Sequence, residues 1–188
     1  MQQEIRTFIA VKIHPEEKLL EQYRIFRKVF VGETIKWVDD DNLHLTLRFL
    51  GHTTQDQLSA LVGRLEEVAE AGRSFQLKIK GAGYFKSKGQ PRVVFLRIAD
   101  SDSLSALVTE LEENVVAVGY QEELKVFRPH LTLGRIRHLK NKNKFYSFMD
   151  KLDDADFQTV DVKEFILYQS ILSPEGSLYK VIKKFKLI

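Results

Sequence analysis

The sequence contains the tetrapeptide His-Leu-Thr-Leu twice, beginning at His44 and again at His130. These histidines are 86 residues apart, and the same 86 residues separate Arg6 from Arg92, where two strand-like segments begin. In each half a strand, a helix and a His-Leu-Thr-Leu strand follow in the same order. This repetition predicts an internal duplication of one α/β unit, packed as two pseudo-symmetric lobes.

The side chains of each tetrapeptide are expected to divide between two faces, because alternate residues of a strand point in opposite directions. The leucines then point into a core under helices, and histidine and threonine share the open face. If a pseudo-twofold axis relates the lobes, both open faces meet at one cleft. That cleft would hold two imidazoles and two hydroxyls, from His44, Thr46, His130 and Thr132.

Apolar spacing and turn residues predict the other elements. Strands are predicted over 6–14, 34–38, 43–50, 75–85, 92–98, 128–136, 157–172 and 178–187. Helices are predicted from Pro15, as the first helical residue, to about Val31, and over 53–72, 101–119 and 145–154. The segment SPEG, 173–176, is predicted to be a turn. Without a long linker, residues 1–188 are expected to form one α+β domain, its lobes roughly built around 34–90 and 120–172, with terminal elements crossing between them.

Composition narrows the class of protein. The 188 residues are 44% hydrophobic, which suffices for one core. Cysteine is absent, so disulfides and thiolate metal sites are excluded, and a reducing compartment is favoured. No signal peptide or membrane span is recognisable, so we expect a cytoplasmic monomer without membrane contact. The net charge of +3 permits an anionic ligand, but a protein that coats nucleic acid is normally more basic.

Two histidines and two hydroxyls in one cleft suit acid/base displacement at a phosphate. Imidazole has an ordinary pKa of about 6.5, so near neutrality one histidine can accept a proton while the other donates one. Threonine hydroxyls can donate to the non-bridging oxygens, where charge must be stabilised. This chemistry requires neither metal nor cofactor. The remaining histidines, His14, His52 and His138, lie at element ends or in loops, where surface exposure explains them.

The segments NLHLTLRFLG, 42–51, and RPHLTLGR, 128–135, resemble the two HxTx signatures of the 2H phosphoesterases. Within that superfamily the chain looks like the bacterial and archaeal RNA 2′,3′-cyclic phosphodiesterases, historically called 2′-5′ RNA ligases. The similarity covers essentially the whole chain, from RTFIAVKI near the start to LYQSILSPEGSLYKVIKKF at the end. Two such signatures in this context are specific, whereas one alone would be weak.

The resemblance implies a bilobal fold with two antiparallel sheets around a central cleft. It also implies hydrolysis of an RNA-terminal 2′,3′-cyclic phosphate to a 2′-phosphomonoester, with 2′-5′ ligation as an associated reaction. By position, His44 would donate a proton to the departing 3′ oxygen and His130 would activate water. Thr46 and Thr132 would bind the phosphate.

The family often has an arginine five residues after the second histidine, and Arg135 occupies that position here. Simple alternation would place Arg135 on the same face as the leucines. A role in substrate binding therefore requires a strand end or a bulge, which Gly134 could supply.

Other residues near the motifs are candidates for contact with RNA. The basic loops 86–92 and 137–144 are expected either to bind RNA phosphates at the cleft mouth or to be solvated surface. Four aromatic residues could stack on a terminal base, namely Trp37, Phe49, Tyr84 and Phe127. Core packing is favoured for most of them, and especially for Phe49, which alternation places with the leucines.

Several alternatives use the same residues. The run Asp39–Asp41 beside His44 is interpreted as a solvated turn, since adjacent carboxylates do not all face one ion. The Gly-Ala-Gly at 81–83 lacks the third glycine and the helix of a nucleotide loop. Two functional alternatives stay open: a cyclic phosphodiesterase for small nucleotides or ADP-ribose cyclic phosphate, and a nucleotide-binding or RNA-binding module without catalysis.

Overall fold

The computed structural model describes residues 4–173 and 177–188. Its strands are β1 (Ile5–Lys12), β2 (Thr34–Trp37), β3 (His44–Thr53), β4 (Phe75–Ser87), β5 (Gln90–Ile98), β6 (His130–His138), β7 (Asp156–Val162), β8 (Glu164–Leu172) and β9 (Ser177–Lys186). Its α-helices are α1 (Glu17–Val29), α2 (Gln55–Ala71), α3 (Asp102–Ala117) and α4 (Lys142–Asp150), and a 3-10 turn spans Asp40–Asn42. No helix in this part of the chain is long and apolar enough to cross a membrane.

The strands form one curled antiparallel sheet in the order β7-β4-β5-β6-β3-β1-β8-β9, with β2 paired to β6 beside β3. The expected α+β fold with two antiparallel halves is confirmed. The halves are joined edge to edge where Leu45 of β3 pairs with Leu131 of β6. We call them the β1 half, which contains β3, β1, β8 and β9, and the β6 half, which contains β7, β4, β5, β6 and β2.

The two halves of the sheet are not the two halves of the chain. The sequence range 34–90 contributes β2 to one half and β3 to the other, and the range 120–172 likewise divides between β6 and β8. Each range contributes to both halves because β2 and β3 lie one after the other along the same edge of β6. Of these two strands, β3 also pairs with β1. The chain therefore passes between the halves close to both histidine motifs.

Two predicted element boundaries are wrong. The single strand predicted over 157–172 is two strands, β7 and β8, at different positions in the sheet and separated by Lys163. The apolar pattern is continuous, so it gave no sign that the chain passes from one end of the strand order to the other. This passage is short because the curled sheet brings the end of β9 close to the start of β4: Ser74 N donates to Ile188 O at 2.7 Å. Helix α1 begins two residues after Pro15, because Glu16 is extended. Residues 174–176 of the predicted SPEG turn lie outside the described residues.

The predicted core face of the tetrapeptides is confirmed. Their leucines are at most 4% exposed and belong to the main hydrophobic core; they are Leu45, Leu47, Leu131 and Leu133. Helix α2 begins at Thr54, whose hydroxyl accepts from Gln57 N while the Gln57 side chain accepts from Thr54 N. This capping box stabilises the start of a helix that packs against α3 and β9 on the core side. The opposite face of the sheet is left open.

Candidate active site

The four predicted polar residues of the motifs lie at the joint between the two halves of the sheet. Because Leu45 pairs with Leu131 in an antiparallel register, Thr46 is directed opposite His130, and Thr132 opposite His44. All four are partly buried, in contrast to the fully covered leucines. The register thus brings each histidine towards the threonine of the other motif, on the open face of the sheet.

Both imidazoles are held by the same type of hydrogen bond. His44 Nδ1 is 2.7 Å from the main-chain oxygen of Asn42, and His130 Nδ1 is 2.7 Å from that of Arg128. A carbonyl oxygen only accepts, so each Nδ1 carries the hydrogen and donates it. The Nε2 atom of each ring is therefore the one that exchanges a proton with a ligand.

The turn that supplies the acceptor for His44 is itself held from the core side. Arg27 Nη2 donates to Val38 O and to Asp40 Oδ1, both at 2.9 Å. The Tyr23 hydroxyl lies 2.5 Å from Val38 O, and the Arg27 guanidinium lies 4.2 Å from the Tyr23 ring centroid. These contacts fix the turn that ends at Asn42, and so the orientation of the imidazole that donates to it.

Aromatic rings flank each histidine, and sequence analysis missed them. The His44 ring centroid lies 5.2 Å from Phe8 and 5.1 Å from Tyr179. The His130 centroid lies 4.8 Å from Phe85 and 5.2 Å from Phe95. Alternation could have indicated Phe8, because it faces away from Ile9, which is in the main core. The proximity of the other rings to the histidines depends on how the strands pair, which the sequence alone does not show.

The pKa of each histidine is lowered. For His44, burial is the main cause, the hydrogen bond to Asn42 opposes it, and the positive charges of Lys12, His130 and Arg135 add to it. For His130, burial again comes first, the hydrogen bond to Arg128 opposes it, and Arg135 adds to it. The two imidazoles and Arg135 are therefore close enough to interact electrostatically. Both rings titrate on the acid side of the ordinary value, about 6.5.

The bulge that a functional Arg135 requires is present. Val94 of β5 pairs with Gly134, and Phe95 pairs with Thr132, so Leu133 is the extra residue of β6. Leu133 and Gly134 are both buried, and Arg135 is exposed on the same face as the histidines. A Cβ atom on Gly134 would lie 2.9 Å from the side chains of Ile35 and Trp37, so glycine also permits β2 to pack here.

The prediction that Phe49 packs in the core is wrong. In the pairing with β1, Thr46 faces Ala10 but Arg48 faces Ile9, so Leu47 is an extra residue of β3. The alternation reverses there, and Phe49 faces Phe8 on the open face. Phe49 is 62% exposed, and its ring centroid lies 6.0 Å from that of Phe8 on the open face. Trp37, Tyr84 and Phe127 pack against the main core, as predicted for most of the four.

Phe49 contributes to an aromatic pocket next to the histidines. The cavity measures about 360 Å³ and is lined by Thr46, Phe49, Phe85, Phe127 and His130, among others. Its rim is anchored by Arg48, which donates to Glu112 Oε2 at 2.5 Å and to Gln121 O at 2.5 Å. The pocket is therefore contiguous with one threonine and one histidine of the predicted site.

The two basic loops lie next to each other. Arg92 Nη1 donates to Arg137 O at 2.9 Å, and a cavity of about 280 Å³ is lined by residues of both segments, including Gln90 and Lys142. The predicted loop 137–144 is shorter than expected, because β6 continues to His138 and α4 begins at Lys142. Both segments lie at the end of β6 that is remote from His130.

The structure also shows where the acidic turn beside His44 lies. Asp40 forms an ion pair with Arg27 at 2.9 Å. Across residues 4–173 and 177–188, no group of three or more histidine, aspartate or glutamate side chains is arranged to hold a metal ion.

The fold and the site define a duplicated α+β protein with one histidine and one threonine from each repeat at a shared open face. The family model described as LigT like Phosphoesterase matches the chain twice, at residues 11–95 and 96–179. The chain belongs to this family of 2H phosphoesterases.

Curated relatives and solved structures agree with this assignment. A Thermotoga maritima protein named RNA 2′,3′-cyclic phosphodiesterase is 34% identical over 95% of this chain and 93% of its own length. One of the same name from Methanocaldococcus jannaschii is 32% identical over 96% and 99%. Among solved structures, TT0787 of Thermus thermophilus has a TM-score of 0.79, 27% identity and coverage of 97% and 98%. E. coli LigT complexed with 3′-AMP has a TM-score of 0.78, 26% identity and coverage of 98% and 99%.

Proposed function

We propose that this protein hydrolyses the 2′,3′-cyclic phosphate at the end of an RNA to a 2′-phosphomonoester, by two-histidine acid/base catalysis. One observation carries the proposal: both imidazoles donate from Nδ1 to a main-chain carbonyl at 2.7 Å, which leaves both Nε2 atoms for proton transfer. The relatives named RNA 2′,3′-cyclic phosphodiesterase support the substrate.

The reaction needs one proton acceptor and one proton donor. Neutral His130 removes a proton from water as the water oxygen forms a bond to phosphorus. The bond from phosphorus to the 3′ oxygen breaks, and protonated His44 transfers its proton to that oxygen. The products are a 2′-phosphate and a free 3′-hydroxyl, with His130 protonated and His44 neutral. If an RNA 5′-hydroxyl replaces water, the same step forms a 2′-5′ linkage.

The other motif residues bind the charge that moves onto the phosphate. Thr46 and Thr132 donate hydrogen bonds to the non-bridging oxygens, since each is directed opposite the histidine of the other motif. Arg135, which the β6 bulge turns to the open face, contributes a positive charge to the same phosphate. The cytoplasmic location and the monomeric state stay predictions from the sequence.

The test of this function is the identity of the product. Incubation of a short RNA with a 2′,3′-cyclic phosphate end, in the presence of EDTA, should yield a 2′-phosphate, identified by ³¹P NMR. The rate should match that measured without EDTA, because every group in the scheme is a side chain. A 3′-phosphate product, an EDTA-sensitive rate, or tight nucleotide binding with no turnover would contradict the proposal.

The aromatic pocket is proposed to bind the base of the terminal nucleoside. Exposed Phe49 offers a ring face beside Thr46, and base stacking on an aromatic residue contributes about 1–3 kcal/mol. Phe49→Ala is therefore expected to raise KM by roughly tenfold in steady-state assays with the cyclic-ended RNA, with a smaller change in kcat. Phe49→Tyr retains a stacking face and should retain KM. An unchanged KM in Phe49→Ala would exclude this placement of the base.

A further inference from the structure

Three positively charged side chains lie on the open face on the His44 side of the site, and each comes from a different strand. Lys12 of β1 is the direct cross-strand partner of His44. Lys36 of β2 is the cross-strand partner of Arg135 of β6. Directly paired residues in antiparallel strands point to the same face, with Cβ atoms about 4.5–5.5 Å apart. Lys12 therefore lies beside His44, and Lys36 lies beside Arg135.

These three cations form no ion pair in the part of the chain that the structure describes, although the Asp41 carboxylate is close enough to act on the charge of Lys12. Within the described ranges, no ion pair within 4 Å joins Lys12, Lys36 or Arg135 to an acidic side chain. The Lys12 ammonium donates to the main-chain oxygen of Asp41, a neutral acceptor. Arg97, which pairs with His130 on the open face, differs from them because it forms an ion pair with Asp153.

The position of these cations relative to the aromatic pocket indicates the orientation of a bound nucleotide. Strand β6 runs from His130, which lines the aromatic pocket, past Thr132 to Arg135, which pairs with Lys36. The rings of the aromatic pocket and the three cations thus lie on opposite sides of the threonines and histidines. A nucleotide has the same polarity, with an apolar base on one side of its ribose and a charged phosphate on the other.

We propose that Lys12 and Lys36, next to Arg135, form a second phosphate subsite on the His44 side of the reacting phosphate. It binds the phosphate on the 5′ oxygen of the terminal nucleoside, so the favoured substrate is an RNA end rather than a free nucleoside cyclic phosphate. This inference rests on the proposed function. Lysine ammonium groups are suited to the role because they bind phosphate as compact point charges with several donors.

The experiment compares two substrates that differ only at the 5′ position, adenosine 2′,3′-cyclic phosphate and its 5′-phosphorylated form. The measured quantity is the ratio of kcat/KM for the phosphorylated substrate to that for the unphosphorylated one. We expect a wild-type ratio of at least about ten, and a reduction of roughly tenfold in Lys12→Met and in Lys36→Met, as for loss of a charge-assisted contact. Salt should also weaken binding of the phosphorylated substrate less in these variants.

Controls separate the subsite from other effects. Lys151→Met removes an exposed lysine at the end of α4, on the core side of the sheet, and should leave the ratio unchanged. Lys12→Arg retains the charge and should restore most of the ratio. Because the ratio cancels any effect of Lys12 on His44 or on the amount of folded enzyme, it reports the 5′-phosphate alone.

The possible failures are distinguishable. A wild-type ratio near one, or a ratio that stays constant in both Lys12→Met and Lys36→Met, would overturn the subsite while leaving the proposed function intact. If wild-type protein hydrolyses neither these substrates nor the cyclic-ended RNA, the proposed function itself fails, and the subsite fails with it.

Discussion

Replacement of either histidine by alanine is expected to reduce kcat/KM for the cyclic-ended RNA by between about 10² and 10⁴, the usual contribution of a positioned general acid or base. The double variant His44→Ala/His130→Ala should lose much less than the product of the two single losses, because the residues act in one step. His52→Ala is the matched control: that histidine is 69% exposed, lies 3.6 Å from Glu4 and belongs to neither motif. Full activity in either site variant would contradict the mechanism.

The pH dependence should assign the two roles. The scheme requires His130 to be neutral, so kcat/KM falls at low pH, and requires His44 to be protonated, so it falls at high pH. Because burial and nearby cations lower the pKa of both rings, the optimum should lie below about pH 6.5. His130→Ala should lose the low-pH decline, and His44→Ala the high-pH decline. The opposite result would exchange the donor and the acceptor.

The central part of the site could be predicted from the sequence because it depends only on local alternation. Within each tetrapeptide, two leucines and two polar residues alternate without interruption, and the leucines are buried as expected. The equal offset of the motifs predicted a duplication, which the two family matches at 11–95 and 96–179 confirm. Over a stretch of only four residues, alternation alone gives the face of each side chain, and the partner strand need not be known.

The features that the sequence did not predict depend on strand pairing. One extra residue in β3 turns Phe49 from the expected core to the open face, and Leu133 in β6 does the same for Arg135. A bulge is set by the strand alongside, so a single strand's pattern does not reveal it, although Gly134 indicated where one was needed. The separation of β7 from β8 at Lys163 is likewise decided by the curl of the whole sheet.

The threonines provide the second large effect. Thr46→Val and Thr132→Val keep the side-chain shape and remove a donor, and each should reduce kcat by about 10² or more if the hydroxyl binds charge that develops in the transition state. Substrate KM should change less, because the ground-state cyclic phosphate carries less charge on those oxygens. The measurement is steady-state kinetics with the cyclic-ended RNA, and Thr→Ser at both positions should retain most of the rate.

The two threonines should be equivalent, and a threonine outside the site serves as the control. Thr159→Val alters an exposed threonine of β7 in the same way and should change neither kcat nor the melting temperature. The register at Leu45 and Leu131 directs each threonine opposite the histidine of the other repeat, so neither repeat contains a complete site. Thr46→Val should therefore impair catalysis about as much as Thr132→Val. If only one threonine matters, the phosphate lies closer to one repeat, and the pseudo-symmetric arrangement of the donors is wrong.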